Sequence, residues 1–152
     1  YRQVRVGRKG EEFIMYKFRT MILNSEEYGP EWAGEKDPRI TKTGRILRKL
    51  YIDEIPQMVN VLKNEMSLIG PRPERPFFVE QLKKEIPYYY KRLSVKPGIT
   101  GWAQIKHKYD SSLEDVKTKV QYDFYYIENM SLKLDFKIMI NTVIVILLMK
   151  GH

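Results

Sequence analysis

Apolar and polar positions alternate over residues 3–6 and 13–18, on either side of Gly7-Arg8-Lys9-Gly10. That pattern predicts a β-hairpin closed by a short glycine-containing loop. Residues 24–38 carry Gly29, Pro30, Gly34 and Pro38 and read as an irregular loop. Gly44 then opens a short basic helix holding Leu47, Arg48 and Leu50. A second helix is predicted after Asp53, because Ile55, Met58, Val59, Val61 and Leu62 recur at helical spacing. Pro56 is tolerated in its first turn, where backbone N–H groups lack partners anyway. Gly70-Pro71-Arg72-Pro73 closes the unit as a rigid loop, residues 76–93 read as a helix broken or bent near Pro87, and Lys96 to Gly101 reads as loop. A further helix is expected from Ser112, with Asp115 three residues on, through Ile127; Asn129-Met130-Ser131 interrupts it. Residues 132–149 form a last helix, apolar nearly all round from Ile138 onward. It is too short to span a bilayer, which leaves two readings: a helix buried in the domain, or one lying on lipid.

The predicted class is α+β, a mainly helical single domain over residues 1–152 with a small N-terminal β-hairpin. Hydrophobic residues at 43% and charged residues at 30% place the chain among folded globular domains. The absence of cysteine removes disulfides, thiolate zinc sites and cysteine nucleophiles, and two histidines leave little for a histidine metal cluster. Any metal must therefore rest mainly on oxygen ligands. The net charge of +8 points to an anionic partner. Its sources are clustered: residues 1–24 hold six basic side chains against two acidic, residues 36–50 six against Asp37, and residues 83–108 seven against Glu85. The chain opens at Tyr1 in a charged stretch, so a preceding segment is expected.

Three stretches could carry chemistry. Asp53-Glu54 follows the basic Arg48-Lys49 and starts the second predicted helix, where the helix dipole and nearby arginines favour an ionised carboxylate with a lowered pKa. Such a carboxylate can act as a nucleophile or bind Mg²⁺; the plainer use is Asp53 as a helix cap with Glu54 pointing to water. In Gly70-Pro71-Arg72-Pro73 the prolines fix the backbone around an arginine that could grip an anion, or simply form an exposed turn. Lys96-Pro97-Gly98-Ile99-Thr100-Gly101-Trp102 combines glycines that permit close backbone approach with a tryptophan that could stack on a ligand or sit in the core. No Walker A or G-x-G-x-x-G pattern is present. A basic module for nucleic acid or anionic lipid would explain the charge but leaves Asp53-Glu54 unused.

In order along the chain, Lys17-Phe18-Arg19-Thr20-Met21, Asp37-Pro38-Arg39-Ile40-Thr41, Leu47-Arg48-Lys49, Ile52-Asp53-Glu54-Ile55-Pro56-Gln57, Asn60-Val61-Leu62 and Met66-Ser67-Leu68-Ile69-Gly70-Pro71-Arg72-Pro73-Glu74 stand in register. With Lys96 to Gln104 and Tyr122-Asp123 through Asn129-Met130-Ser131, the set resembles the bacterial sugar transferases, the monotopic phosphoglycosyl transferases, over nearly the whole chain. The resemblance implies transfer of a sugar 1-phosphate from a UDP-sugar to polyprenyl phosphate (undecaprenyl phosphate), with release of UMP. The reaction would initiate exopolysaccharide, capsule or O-antigen synthesis at the cytoplasmic face of the bacterial inner membrane. It further implies Asp53 as the nucleophile of a covalent intermediate, Glu54 as its partner in holding Mg²⁺, and Arg48 and Arg72 on phosphate oxygens. Pro71, Arg72 and Pro73 would help hold the uridine end.

Family members carry a membrane-embedded re-entrant helix ahead of the matched segment, so the domain is expected at a membrane surface. The basic clusters and apolar tail would then face an anionic leaflet, with no nucleic acid as partner. Two positions depart from the family pattern: Asn64-Glu65 stands where Gly-Asp is usual, and Ile105-Lys106-His107-Lys108 replaces a Gly-Arg stretch after Gln104. The second keeps basic charge but lacks a bidentate arginine, which leaves the sugar open. A hexose phosphate such as glucose or galactose phosphate is the guess by analogy.

Overall fold

The computed structural model describes residues 1–25, 27, 29, 37–107 and 113–148. The alternating N-terminal segments form strands β1 (Arg2–Val6) and β2 (Glu12–Tyr16), antiparallel with Val4 opposite Ile14. Lys9 and Gly10 turn between them at φ 59° and 86°. Helix α1 (Lys42–Lys49) begins two residues before the predicted Gly44, because the Thr41 hydroxyl accepts from Gly44 N at 2.9 Å and caps it. A 3₁₀ helix (Ile52–Gln57) follows and runs into the short α2 (Met58–Leu62). The expected regular helix after Asp53 is thus tighter in its first part.

Strand β3 (Ser67–Ile69) and strand β4 (Gly98–Thr100) pair in parallel, Ser67 opposite Gly98 and Ile69 opposite Thr100. The sequence pattern indicates only loop at 96–101, and the glycines serve a different end there from ligand approach. A Cβ on Gly98 would lie 2.1 Å from Gly70 N, so side chains are excluded where the two backbones close on each other.

Helix α3 (Pro76–Glu85) ends ahead of Pro87, and the chain resumes as a 3₁₀ turn (Tyr89–Ser94), the expected bend. Helix α4 (Trp102–Lys106), α5 (Leu113–Glu128) and α6 (Leu132–Leu147) complete the fold. Ser112, the predicted start of α5, lies outside the described residues, as do Pro30, Gly34 and residue 149. Trp102 is half-buried and stacks on Tyr125, with Lys106 and Lys137 over its ring. It packs at the margin of the apolar cluster formed by Ile69, Tyr126 and Ile138.

Three apolar clusters hold these elements. Val6, Phe78, Val79, Leu82, Ile86, Tyr89, Val116 and Val120 join β1, α3 and α5; Phe13, Met15 and Met66 join the hairpin to the segment after α2; Ile69, Tyr126 and Ile138 seat α6. Asn60, fully buried, pins α2 to β2 by donating to Ile14 O at 2.7 Å and accepting from Tyr16 N at 3.2 Å. Its amide also donates to Glu65 Oε2 at 2.7 Å, which gives that carboxylate a structural partner.

Helix α6 is not the buried helix that one reading anticipated. Only Ile138 is buried, while Phe136, Val143 and Leu147 are 61%, 54% and 75% exposed. Its inner side is held by Ile138, Leu134 and a Thr142–Thr100 hydroxyl hydrogen bond of 2.8 Å. Among the described residues, no helix is long and apolar enough to cross a membrane.

Candidate active site

Gly44 explains how α1 presents Arg48. A Cβ at Gly44 would stand 2.0 Å from Thr20 O, so only glycine lets the helix press onto that strand-like segment. Arg48 lies one turn further on the same face, and its Nε donates to Thr20 Oγ1 at 2.9 Å. After α1 the chain reverses at Tyr51, which adopts a left-handed conformation at φ 55°, and enters the 3₁₀ helix with Asp53 and Glu54 in its first turn. Phe18 N donates to Asp53 O at 2.9 Å and fixes this turn against the end of β2. That contact also brings Lys17 alongside.

Both carboxylates are buried, which overturns the picture of Glu54 pointing to water. Glu54 Oε1 accepts from Lys17 Nζ at 2.9 Å and from Arg72 Nη2 at 2.5 Å; Oε2 accepts from Arg72 Nη1 at 3.3 Å. Burial alone would raise the Glu54 pKa, but the charges and hydrogen bonds of Arg72 and Lys17 outweigh it and hold the carboxyl far below its ordinary range. Burial lowers Lys17 to about 8 against the opposing pull of Glu54.

Asp53 differs from its neighbour. Among the described residues its carboxylate accepts no hydrogen bond. Burial raises its pKa, Glu54 adds to the rise, and Lys17, Arg72 and Arg48 oppose it. The lowered pKa expected from a helix terminus and flanking arginines is therefore corrected: desolvation exceeds both effects in so enclosed a position. A buried carboxylate surrounded by three cations but bonded to none is poised to react with, or bind, something that is not protein.

The structure brings the predicted residues Arg48, Asp53, Glu54 and Arg72 into one electrostatic cluster, since each of the four acts on the pKa of another. Pro71 and Pro73 frame Arg72 in an irregular segment as expected. Lys17 and Thr20 also belong to the site, although sequence spacing alone assigns them no role. Their signal is the Lys17 to Met21 motif itself.

For a Mg²⁺ ion, Asp53 presents the free oxygens that such an ion requires, alongside substrate phosphate. Both Glu54 oxygens are engaged by Lys17 and Arg72. Among the described residues no group of three or more His, Cys, Asp or Glu side chains forms a ready cage. The donor set thus fits an ion carried with a phosphate substrate better than a permanently held one.

Residues 1–149 match the family model described as bacterial sugar transferase. The chain is 51% identical over 145 residues to the UDP-N-acetylgalactosamine-undecaprenyl-phosphate N-acetylgalactosaminephosphotransferase of Aeromonas hydrophila, covering 95% of this chain and 34% of that protein. It is 41% identical over 145 residues to the UDP-glucose:undecaprenyl-phosphate glucose-1-phosphate transferase of Escherichia coli K12, covering 94% and 31%. To the undecaprenyl-phosphate galactose phosphotransferase of Salmonella typhimurium it is 39% identical over 166 aligned positions, covering 99% and 34%. The chain thus spans about a third of the length of these relatives. With its motifs gathered around one buried carboxylate pair, this chain belongs to the bacterial sugar transferase family.

Proposed function

We propose that the chain is the catalytic domain of a polyprenyl-phosphate glycosyl-1-phosphate transferase, which moves a sugar 1-phosphate from a UDP-sugar to undecaprenyl phosphate and releases UMP. The observation that carries this reading is the unbonded Asp53 carboxylate beside Lys17, Arg48 and Arg72. The relatives' names supply the substrate class, and they cover three different sugars. The identity of the sugar is therefore left to the assay.

In the first step an Asp53 oxygen attacks the phosphorus bonded to the sugar, the P–O bond to the UMP phosphate breaks, and UMP departs with that electron pair. In the second, a phosphate oxygen of the lipid attacks the same phosphorus and Asp53 leaves as carboxylate. The acyl phosphate between these steps is reactive enough to pass on its load. Arg48 and Arg72 neutralise phosphate oxygens as charge builds, and Lys17 with Arg72 holds Glu54 so that the Asp53 turn stays in place. Desolvation keeps Asp53 poorly solvated and hence more nucleophilic. A Mg²⁺ ion held by Asp53 and substrate phosphates would add Lewis-acid neutralisation of the diphosphate.

The membrane surface enters as part of the same proposal. Ile55, Met58, Val59 and Leu62, spaced i, i+3, i+4, i+7 from the turn that carries Asp53, are all exposed, and so is the outer face of α6. Exposed Lys42, Arg45 and Lys49 lie on α1. Apolar stripes beside basic side chains suit an anionic leaflet at the cytoplasmic face, where a polyprenyl phosphate head is found. The test is UMP release from a panel of UDP-sugars with Mg²⁺, comparing wild type with Asp53→Asn. Release with one or more sugars, lost in the variant, supports the reading; release unaffected by the variant refutes it.

A further inference from the structure

The segment carrying Arg72 has an unusual anchoring problem. Pro71 and Pro73 have no N–H, so the loop must be held chiefly through its carbonyls. Each of the four in sequence is taken by a different donor. Pro71 O accepts from Gly98 N at 3.0 Å and Glu74 O from Val6 N at 2.9 Å, both main-chain contacts. Pro73 O accepts from Arg5 Nη1 at 2.8 Å, and Arg72 O from Arg92 Nη2 at 3.0 Å. The donor to the carbonyl of Arg72 itself is thus a side chain from a turn twenty residues away.

Arg92 is locked in turn. It is 5% exposed; its Nε pairs with Asp123 Oδ2 at 2.7 Å and its Nη1 donates to the Tyr89 hydroxyl at 2.7 Å. A buried ion pair is weak evidence of added stability, because desolvating both charges consumes most of what their attraction returns. Its better-supported use is to fix one geometry. The fork of Arg92 spends one arm on Asp123, one on Tyr89 and the third on the backbone of the residue whose own guanidinium meets Glu54 at the nucleophile's side.

We propose that Arg92 is a positioning residue for the phosphate-binding Arg72, aiming its guanidinium by clamping its carbonyl, with Asp123 and Tyr89 fixing the clamp. This rests on the reading of Arg72 as a diphosphate ligand. Lysine at position 92 would keep the charge for Asp123 but lacks the planar fork needed to reach all three partners.

The test is a double-mutant cycle on UMP binding by calorimetry in the full chain, combining Arg92→Lys with Arg72→Ala. Arg92→Lys should weaken UMP binding by about tenfold in the wild-type background and change it less than about twofold once Arg72 is removed, as expected when one residue acts through the other. Equal losses in both backgrounds, or no loss in the first, would overturn the proposal. If Arg72→Ala alone leaves UMP binding unchanged, the phosphate role of Arg72 fails instead, a separate result. Tyr89→Phe, which removes one hydroxyl and keeps the ring, serves if Arg92→Lys does not fold. It should weaken binding by about threefold, again only while Arg72 is present.

Discussion

Lys17 and Arg72, 55 positions apart in the chain, meet at one oxygen: Glu54 Oε1 lies 2.9 Å from Lys17 Nζ and 2.5 Å from Arg72 Nη2. Two cations converging on one buried anion leave a positive remainder on the side of Asp53. The adjacent carboxylates are therefore not equivalent. Glu54 is tied into the protein, while among the described residues the Asp53 carboxylate accepts no hydrogen bond.

That division predicts opposite stability effects. Asp53→Asn removes an ionised group whose burial raises its pKa, so at neutral pH the folded state bears a cost that the amide does not. Its melting temperature should equal or exceed that of wild type while turnover falls by at least about a thousandfold. Glu54→Gln strands Lys17 and Arg72 without an anion and should cost about 3–5 kcal/mol. Chemical denaturation of both variants checks this, and a destabilised Asp53→Asn would contradict it.

Lys17 sets an alkaline limit. Burial lowers its pKa from 10.5 to about 8, so the folded protein loses this proton before the unfolded chain does. The contribution of Lys17 to stability accordingly improves between pH 8 and 10.5, whereas its charge beside Glu54 and Asp53 is lost. The account predicts kcat/KM falling as pH rises through about 8, and a fall displaced to higher pH in Lys17→Arg. A flat profile through pH 9 in wild type would be inconsistent with that role.

Gly44→Ala tests how α1 is placed. The added methyl would stand 2.0 Å from Thr20 O, a backbone atom that cannot rotate away. Overpacking of this kind costs typically about 1–3 kcal/mol, and here it should also draw Arg48 off Thr20 and raise KM for the UDP-sugar. Unchanged stability and KM would show that the helix shifts freely.

The outer face of α6 predicts surface binding. Phe136→Glu with Val143→Glu replaces two exposed apolar side chains. At about 1.5–3 kcal/mol for each side chain buried in lipid, binding to anionic vesicles should fall at least about tenfold, with little change in melting temperature. Co-sedimentation measures this directly, and equal binding by the double variant would remove α6 from the membrane contact.

Much of the fold was legible from local pattern. The hairpin follows from alternation, the bend from Pro87, and the break before α6 from Asn129-Met130-Ser131. The β3–β4 pair was hidden because three-residue strands are too short to show a period of two, and because their partner lies about thirty residues away. Asp53, Glu54, Arg48 and Arg72 stood out as residue types in motifs, but the environment of each did not. Whether Asp53 sits above or below its ordinary pKa depends on its burial against the charges of Lys17 and Arg72, neither of which is near it in sequence. The carbonyl clamp by Arg92 likewise joins residues twenty apart that no spacing rule connects.

The central claim is that Asp53 carries the phosphosugar. Intact-protein mass spectrometry after mixing with a UDP-sugar and Mg²⁺, in the absence of lipid acceptor, tests it most directly. The account predicts a mass gain of one sugar phosphate, mapped by peptide sequencing to Asp53, absent in Asp53→Asn and discharged on adding polyprenyl phosphate. An enzyme that turns over with acceptor yet never carries the adduct under rapid quench would instead transfer the group directly, and the nucleophile assignment would be wrong.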